Sequence, residues 1–227
     1  MPQQLTFDLP VRSAQGRGDF YVTASNAAAM ATVEAWQDWP NRKLVLVGPE
    51  GAGKTHLAHV WADLSGAAVL RAKDLPSTDI PALAGSCVVV EDADRIAGNR
   101  PCEEALFHLH NLILAEGGSL MLTACTAPSR WGLSLPDLTS RAEATTLAHL
   151  EAPDDMLLSA VLVKLFDDRQ ITVSHPLITY LTRRMSRSLS EAAQMVDRLD
   201  RAALAQNCPI TRSFAARILD ISGEISA

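Results

Sequence analysis

Short apolar runs alternate with helical stretches over the first two-thirds of the chain, and the last third carries helical patterns alone. Each apolar run has the length and composition of a strand that is buried on both faces. The predicted strands span residues 43–47, 68–70, 86–90, 120–123 and 145–150. Because strands that alternate with helices are typical of a parallel sheet, the pattern predicts an α/β fold with five parallel strands.

The pattern also divides the chain into parts. Residues 2–19 turn polar and glycine-rich, a short extended run covers 20–22, and Asn26 can cap a helix that reaches Trp36. From Pro153 onwards four helices are predicted, at 153–168, 176–185, 189–206 and 211–219. We therefore predict a tail over 1–19, an α/β domain over 20–152 and an all-helical lid over 153–227.

One stretch carries a recognisable chemistry. Residues 48–55 read Gly-Pro-Glu-Gly-Ala-Gly-Lys-Thr and match the phosphate-binding pattern G-x-x-x-x-G-K-[ST] at every fixed position. They follow the first predicted strand and open a helix, as that motif requires. The glycines permit a turn whose N–H groups converge on an anion at the helix N-terminus. Lys54 would reach the β- and γ-phosphates, and the Thr55 hydroxyl would bind Mg²⁺. This context favours a nucleotide phosphate site over an ordinary glycine-rich turn.

Two acids, Glu91 and Asp92, come directly after the apolar residues of the third predicted strand. In phosphate-loop proteins a carboxylate at the end of a neighbouring strand holds Mg²⁺ through water, and a second one positions the attacking water. The alternative is that the pair only caps the following helix. The phosphate loop in the same chain favours the functional interpretation.

Charge limits the kinds of partner. The net charge of −6 argues against a broad electrostatic contact with nucleic acid. Two local basic clusters remain, one formed by Arg183, Arg184 and Arg187 and one by Arg198 and Arg201. A solvated helix face is the favoured interpretation of both.

The sequence also carries indications of location. The start shows no signal-peptide pattern, and no apolar run approaches membrane-spanning length. The four cysteines are scattered without C-x-x-C spacing, as in proteins with cytosolic thiols. We expect a cytoplasmic protein that does not bind a membrane.

The tail contains a glutamine followed by spaced apolar residues, Gln4, Leu5, Phe7 and Leu9. In extended form the apolar side chains could occupy neighbouring pockets of a partner while the glutamine amide makes directed hydrogen bonds. A first strand packed on the parent domain is the alternative. The pattern alone supports the two equally.

Taken together, these features resemble the AAA+ ATPases and, more narrowly, the AAA+ module of the bacterial replication initiator DnaA. Within that family the likeness is greatest to its short regulatory members. The segments that carry the resemblance are 4–9, 20–26, 48–55, 88–92, 122–126, 136–141 and 197–203. The resemblance implies an AAA+ phosphate-loop domain with a five-stranded parallel sheet, followed by an all-helical lid.

The resemblance also implies partners. The tail is similar to the peptide that binds the DNA polymerase sliding clamp, with Gln4, Leu5, Phe7 and Leu9 as contacts. Arg141 matches the arginine finger, which would enter the ATP site of DnaA from outside. A homodimer is a further arrangement that we considered. Since only eight residues follow Leu219, too few for the initiator's helix-turn-helix domain, no direct sequence-specific DNA binding is expected.

The motif and the resemblance together imply the site residues. The cofactor would be ADP or ATP with Mg²⁺. The expected nucleotide contacts are Asn26, Gly48, Pro49, Gly51, Ala52, Gly53, Lys54, Thr55, His56, Thr123 and Arg187. The expected metal ligands are Thr55, Glu91 and Asp92, and the expected catalytic residues are Arg141, Asp92 and Glu91.

The chain departs from the family pattern at three places. Glu91 stands where the family commonly has Asp, and the fourth strand ends in Ala124 and Cys125, which leaves Thr123 as its polar candidate. The lid position of the family's sensor arginine holds Ser190, and Arg187, one turn earlier, is the candidate to replace it. Because a missing cation weakens stabilisation of the transition state, we expect weak intrinsic hydrolysis.

The expected function is therefore that of a regulator of chromosomal replication initiation, which binds the sliding clamp and stimulates ATP hydrolysis by DnaA. Two alternatives stay open at this point. The chain could be an autonomous ATPase or phosphotransferase that uses the same loop, or an adaptor in which the nucleotide only stabilises the fold.

Overall fold

The computed structural model describes residues 20–223 and forms a five-stranded sheet with helices around it. The strands are β1 (Lys43–Val47), β2 (Ala68–Arg71), β3 (Cys87–Glu91), β4 (Ser119–Ala124) and β5 (Thr146–His149). They lie in the order β2-β3-β4-β1-β5, and every neighbouring pair is parallel. The predicted fold class, an α/β fold with a five-stranded parallel sheet, is confirmed.

Four α-helices belong to the sheet-forming part of the chain. They are α1 (Ala27–Glu34), α2 (Lys54–Ser65), α3 (Arg100–Ala115) and α4 (Pro136–Glu143). Each central strand buries side chains on both faces of the sheet. In β1, Val45 packs on the side of α3 and α4, whereas Leu44 and Leu46 pack on the side of α1 and α2. The alternation follows from the two-residue period of a strand, and it explains why β1 reads as a continuous apolar run.

The start of the described chain differs from the prediction. Helix α1 ends at Glu34 instead of continuing to Trp36, whereas residues 20–22, predicted as an extended run, belong to no helix or strand. A 3₁₀ turn at Trp36–Asp38 replaces the last helical turn. This turn places the rings of Trp36 and Trp39 at 6.2 and 5.0 Å from the ring of Trp61, which is fully buried. Tertiary packing of three indole rings therefore overrides the local helical pattern.

The remaining four described helices form a unit with its own core. They are α5 (Asp155–Asp167), α6 (His175–Arg184), α7 (Leu189–Gln206) and α8 (Arg212–Gly223). Their apolar faces meet in one cluster around the fully buried Phe166. The Asp154 carboxylate caps α5 by accepting from the Leu157 N–H at 2.7 Å. No helix among residues 20–223 has both the length and the apolar character needed to cross a membrane.

A buried positive charge supports the end of α4. Lys43, at the start of β1, is only 7% exposed, and its ammonium donates to the Arg141 carbonyl oxygen at 3.0 Å. The same ammonium lies 3.4 Å from Nε2 of the buried His110 on α3. Burial, with a further contribution from the positive charge of Lys43, lowers the pKa of His110 to about 4. His110 is therefore neutral at pH 7, and the buried lysine faces uncharged acceptors.

We expect this histidine to make stability depend on pH. Because the pKa of His110 is about 4 in the folded protein and 6.5 ordinarily, the unfolded chain binds more protons between these values. Folding stability is then lost as the pH falls from 6.5 towards 4, by about 3 kcal/mol from this group. Glutamine at this position keeps an acceptor but does not titrate. Urea denaturation should therefore show the stability difference between wild type and His110→Gln shrinking by about that amount from pH 7 to pH 4.

The matched control is His108→Gln, because His108 is exposed on the same helix. Its difference from wild type should stay constant over the same pH range. Parallel pH profiles for wild type and His110→Gln would contradict the assignment.

Candidate functional site

The phosphate-loop sequence forms the connection from β1 to α2. Gly51 and Gly53 have φ angles of 74° and 103°, in the left-handed region where residues other than glycine are strained. A side chain on Gly48 would meet the Leu150 carbonyl oxygen. The first hydrogen bond inside α2 joins the Leu57 N–H to the Gly53 carbonyl oxygen at 3.0 Å. The N–H groups before it have no acceptor within the helix, so this end of α2 presents donors to an anion.

Lys54 adds a buried positive charge to this helix end. It is 8% exposed, and its ammonium donates to the carbonyl oxygens of Gly48 at 2.8 Å and Pro49 at 3.0 Å. The Cys125 sulfur lies 3.6 Å away. Among the described residues no carboxylate is within ion-pair distance of this ammonium. The ammonium and the N–H groups of the helix end therefore place positive charge on the same side of the loop, where one anion would interact with both.

A cavity of about 560 Å³ opens beside the loop, between the sheet and the helical unit. Nine of the predicted site residues line it: Asn26, Gly51, Ala52, Gly53, Lys54, Thr55, His56, Asp92 and Thr123. Five predicted residues are not part of its lining: Gly48, Pro49, Glu91, Arg141 and Arg187. Apolar side chains from α5 and α7, including Leu157, Val161 and Leu189, form the wall on the lid side. The cavity thus combines a cationic floor with an apolar wall, which suits a phosphorylated ligand with a flat apolar part.

Asn26 shapes the mouth of this cavity through contacts with the backbone of its own loop. It is 3% exposed, its side-chain oxygen accepts from the Thr23 N–H at 2.8 Å, and its amide donates to the Tyr21 carbonyl oxygen at 2.8 Å. Next to this loop, the ring of Phe20 stands edge-on to the ring of His56, with the centroids 5.2 Å apart. The predicted capping bond from Asn26 to α1 is not formed, because both ends of the amide hold the preceding loop.

The acid pair lies where β3 ends. Glu91 is the last residue of the strand, and its Oε1 atom is buried without a hydrogen-bond partner among the described residues. Asp92 follows in a left-handed conformation, with φ at 57°, and its N–H donates to the Thr123 hydroxyl at 3.1 Å. An orphaned buried carboxylate oxygen fits a role in holding metal-bound water. No cluster of three metal-ligating side chains occurs in the described chain, so Mg²⁺ here would take its remaining ligands from phosphate and water.

The lid contacts the phosphate loop directly. The Leu189 N–H, at the start of α7, donates to the Gly51 carbonyl oxygen at 2.8 Å, and the Ser188 side chain occupies the space beside Gly51. Ser190 lines the cavity. Arg187 is directed elsewhere: its guanidinium pairs with Asp155 at 3.0 Å and donates to the Pro153 carbonyl oxygen at 3.1 Å. The structure therefore does not bring this arginine to the place of the missing sensor.

The structure also identifies lining residues that the sequence did not indicate. Arg95 lies 3.7 Å from the Asp92 carboxylate and 3.4 Å from that of Glu50. On α5, Lys164 pairs with Asp168 at 3.3 Å. In the sequence these pairs show only as spacings of three residues, from Asp92 to Arg95, and four residues, from Lys164 to Asp168. Such spacings are common on ordinary helices, so they do not indicate a site.

Arg141 occupies a different face from the cavity. It lies in the last turn of α4, is exposed, and its guanidinium carbon sits 5.2 Å above the ring of Phe107. Within the described part of the chain no carboxylate pairs with it. Stacking on a ring fixes the direction of the side chain without neutralising its charge. The arginine is therefore available to an anion on another molecule.

A buried carboxylate holds the other end of α4. Glu103 on α3 is completely buried, and its two oxygens accept from the N–H groups of Gly98, Ser134 and Leu135 and from the Ser134 hydroxyl, at 2.8–3.1 Å. Burial by itself would raise the pKa of Glu103, but these hydrogen bonds outweigh it and keep the pKa below its ordinary value. Ser134 and Leu135 immediately precede α4. Glu103 therefore fixes the start of the helix that carries Arg141.

Glu103→Gln should destabilise the fold by about 2–3 kcal/mol, because an amide has one acceptor oxygen and its NH₂ group would face N–H donors. Glu104→Gln is the matched control, since Glu104 is exposed and pairs with Arg100 across one helical turn. That change should cost within about 0.5 kcal/mol. Urea denaturation at pH 7 checks both, and equal effects of the two substitutions would contradict the role of Glu103.

Gly51→Ala should weaken nucleotide binding by about tenfold or more, because the new methyl group is strained at this φ angle and collides with Ser188. Gly66→Ala is the control. Gly66 has a φ angle of 71° but open space around it, so this change introduces the same backbone strain without a collision. Titration with a fluorescent ADP analogue measures the affinity. Adding Ser188→Gly to Gly51→Ala should restore part of it, and an unchanged affinity in Gly51→Ala alone would show that the lid contact is irrelevant.

Solved structures with the same architecture include AAA+ modules of two kinds. Domain III of the Thermotoga maritima replication initiation protein DnaA is 15% identical, with a TM-score of 0.80 over 91% of this chain and 95% of that one. AMPPCP-bound DnaA from Aquifex aeolicus is 17% identical, with a TM-score of 0.64 over 79% of this chain and 63% of that one. A point variant of Thermotoga maritima RuvB is 15% identical, with a TM-score of 0.68 over 92% and 72% of the two chains.

No protein-family model matches the chain. At these identities the structural likeness concerns the fold, and it extends over the sheet and the helical unit together. The chain has the AAA+ fold that DnaA domain III and RuvB share.

Proposed function

We propose that the cavity beside the phosphate loop binds ADP or ATP with Mg²⁺. The observation that carries this proposal is Lys54, a buried ammonium with neutral partners at the N-terminus of α2. The likeness to DnaA structures that contain AMPPCP supports the adenine nucleotide in particular. Bound Mg²⁺ would neutralise phosphate charge. Thr55 would ligate it directly, and Glu91 and Asp92 would hold its water.

The intrinsic hydrolysis of this nucleotide should be weak. Arg187 is engaged by Asp155, and Ser190 occupies the lid position next to Gly51. The arginine nearest to the acids, Arg95, is shared between Asp92 and Glu50. The site therefore binds phosphate well but has few free cations to stabilise charge that develops in the transition state.

The regulatory role concerns replication initiation. The structural likeness to DnaA domain III supports a DnaA-type AAA+ protein, and the sequence resemblance narrows this to an Hda-type regulator. The exposed Arg141, stacked on Phe107 and without a carboxylate partner in the described chain, supports an arginine finger that acts in trans. It would enter the ATP site of DnaA and stabilise charge on the phosphates during hydrolysis.

Binding of the DNA polymerase sliding clamp is proposed for the tail. The four contact residues, Gln4, Leu5, Phe7 and Leu9, lie outside the residues that the structure describes. Their support is the motif together with the resemblance. A clamp-bound position would bring Arg141 close to initiator molecules that gather at replicating DNA, and so raise the effective concentration of the finger.

A nucleotide-stabilised adaptor is the second candidate, and one observation favours it. Residues of both the sheet-forming part and the lid line the cavity, so a nucleotide bound there would fix the orientation of the two units without being hydrolysed. In that case Arg141 would have no catalytic role.

The arginine-finger proposal predicts the outcome of a reconstitution. ATP-bound DnaA, clamp loaded on DNA and this protein are combined, and ATP hydrolysis by DnaA is measured. Arg141→Ala should reduce the stimulated rate by roughly 10³-fold, as for other arginine fingers. Arg141→Lys should restore little, since a lysine lacks the planar fork. The control is Arg201→Ala, which removes a positive charge from an exposed pair with Asp197 on α7.

A second arm tests the tail. The Gln4→Ala, Leu5→Ala double variant should lose clamp capture in a pull-down and also lose stimulation, although Arg141 is intact. Full stimulation by Arg141→Ala would favour the adaptor. Turnover of free ATP at rates of active ATPases, without any partner, would favour the autonomous enzyme instead.

A further inference from the structure

A second cleft, of about 670 Å³, lies in the helical unit between the outer faces of α6 and α8. We call it the lid cleft. It is lined by His175, Pro176, Thr179, Tyr180, Arg183, Arg184 and Arg212. Three of these side chains carry a fixed positive charge and none is acidic. The cleft is separate from the nucleotide cavity, which shares no lining residue with it.

Two of the three arginines of the lid cleft lie over one aromatic ring. The guanidinium carbons of Arg184 and Arg212 lie 5.4 and 5.5 Å from the centroid of the Tyr180 ring. Cation–π contacts of this kind restrict long side chains that otherwise move freely. The Tyr180 hydroxyl is buried and has no hydrogen-bond partner among the described residues. The cleft therefore presents cationic donors, of which Arg212 is oriented by the Tyr180 ring.

The basic residues that line the lid cleft are not the same set as the basic cluster seen along the sequence. Arg187 does not line the cleft, because it pairs with Asp155 on the side of α5. Arg212, 28 positions or more away in sequence from Arg183 and Arg184, joins it from the start of α8. Convergence of two helices on one cleft differs from a solvated helix face, which would spread its charges along a single helix. It also concentrates positive charge locally on a chain whose net charge is −6.

We propose that the lid cleft binds the phosphodiester backbone of a nucleic acid, without reading its sequence. Arginine forks match phosphate oxygens in pairs, and the contact of Arg212 with the Tyr180 ring restricts its guanidinium before a ligand binds. A volume of about 670 Å³ exceeds the need of a single phosphate group and admits a short stretch of backbone. Contacts to phosphate alone position a protein on nucleic acid without specificity.

The donor content of the cleft favours nucleic acid over an acidic peptide. Arginine side chains only donate hydrogen bonds, and the Thr179 hydroxyl already donates to the His175 carbonyl oxygen at 3.1 Å. A phosphodiester backbone offers acceptors only, so it matches such a lining. A peptide would also bring N–H groups, for which the cleft has few acceptors.

The test measures binding of the full chain to a fluorescein-labelled single strand of random sequence, about 25 nucleotides long, and to its duplex, by fluorescence anisotropy. Each titration is repeated between about 50 and 200 mM salt. Wild type should bind in the micromolar range at the lowest salt, as non-specific binders do. The Arg183→Ala, Arg212→Ala double variant should bind at least tenfold more weakly, and its salt slope should fall by about 1.5 because two phosphate contacts are lost.

The matched control is Arg198→Ala, Arg201→Ala, which removes the same charge from exposed positions on α7. It should change the affinity less than twofold. Arg183→Gln, Arg212→Gln is a second version of the test variant that keeps the three-carbon stem and removes the charge, and unchanged ADP affinity and melting temperature show that each variant is folded.

Three results would overturn the proposal. The first is an equal loss in both double variants, which would indicate general charge attraction. The second is binding by wild type that does not weaken with salt. The third is displacement of the labelled strand by polyglutamate at the same concentration of negative charges as unlabelled DNA, which would assign the cleft to acidic protein segments.

Discussion

The nucleotide site depends on the positive charge that the sequence places at the start of α2. The Lys54 ammonium is buried among two carbonyl oxygens and a sulfur, and the free N–H groups of the helix end add partial positive charge beside it. Both favour an anion at the same place. The surrounding features bring other groups to that place: glycines that let the backbone approach, strand ends that deliver carboxylates, and a lid that contacts the loop.

Two other buried charges are stabilised without an ion pair, and both support α4. Glu103 is satisfied by N–H and hydroxyl donors at the start of that helix. Lys43 is satisfied at its end by the Arg141 carbonyl oxygen and by a neutral histidine. Hydrogen bonds to charged groups are stronger and more directional than apolar contacts. The helix is therefore fixed at both ends while the Arg141 guanidinium stays exposed, an arrangement suited to offering a charge to another molecule.

What could be predicted from the sequence was local. The five strands and the phosphate loop were predictable because apolar runs and glycine spacing are properties of neighbouring residues. The role of Glu103 could not be predicted, since its bonds to Ser134 and Leu135 join residues that are 31 and 32 positions apart in sequence. Arg187 was expected at the nucleotide because spacing along a helix does not show that Asp155 competes for it. Likewise, the meeting of Arg183 with Arg212 depends on how α6 and α8 pack.

The phosphate-loop cavity and Arg141 share one support. The turn at Ala93–Ile96 follows the acid pair, and its Asp94 carboxylate accepts from the Cys125 N–H at 2.7 Å, next to the phosphate loop lysine. A few residues later, Gly98 donates to the same Glu103 carboxylate that holds Ser134 in place. Because interiors are close-packed, a shift of the strand ends cannot be absorbed locally. The cavity and the helix that carries Arg141 are thus joined by a short series of hydrogen bonds that passes through Glu103 on α3.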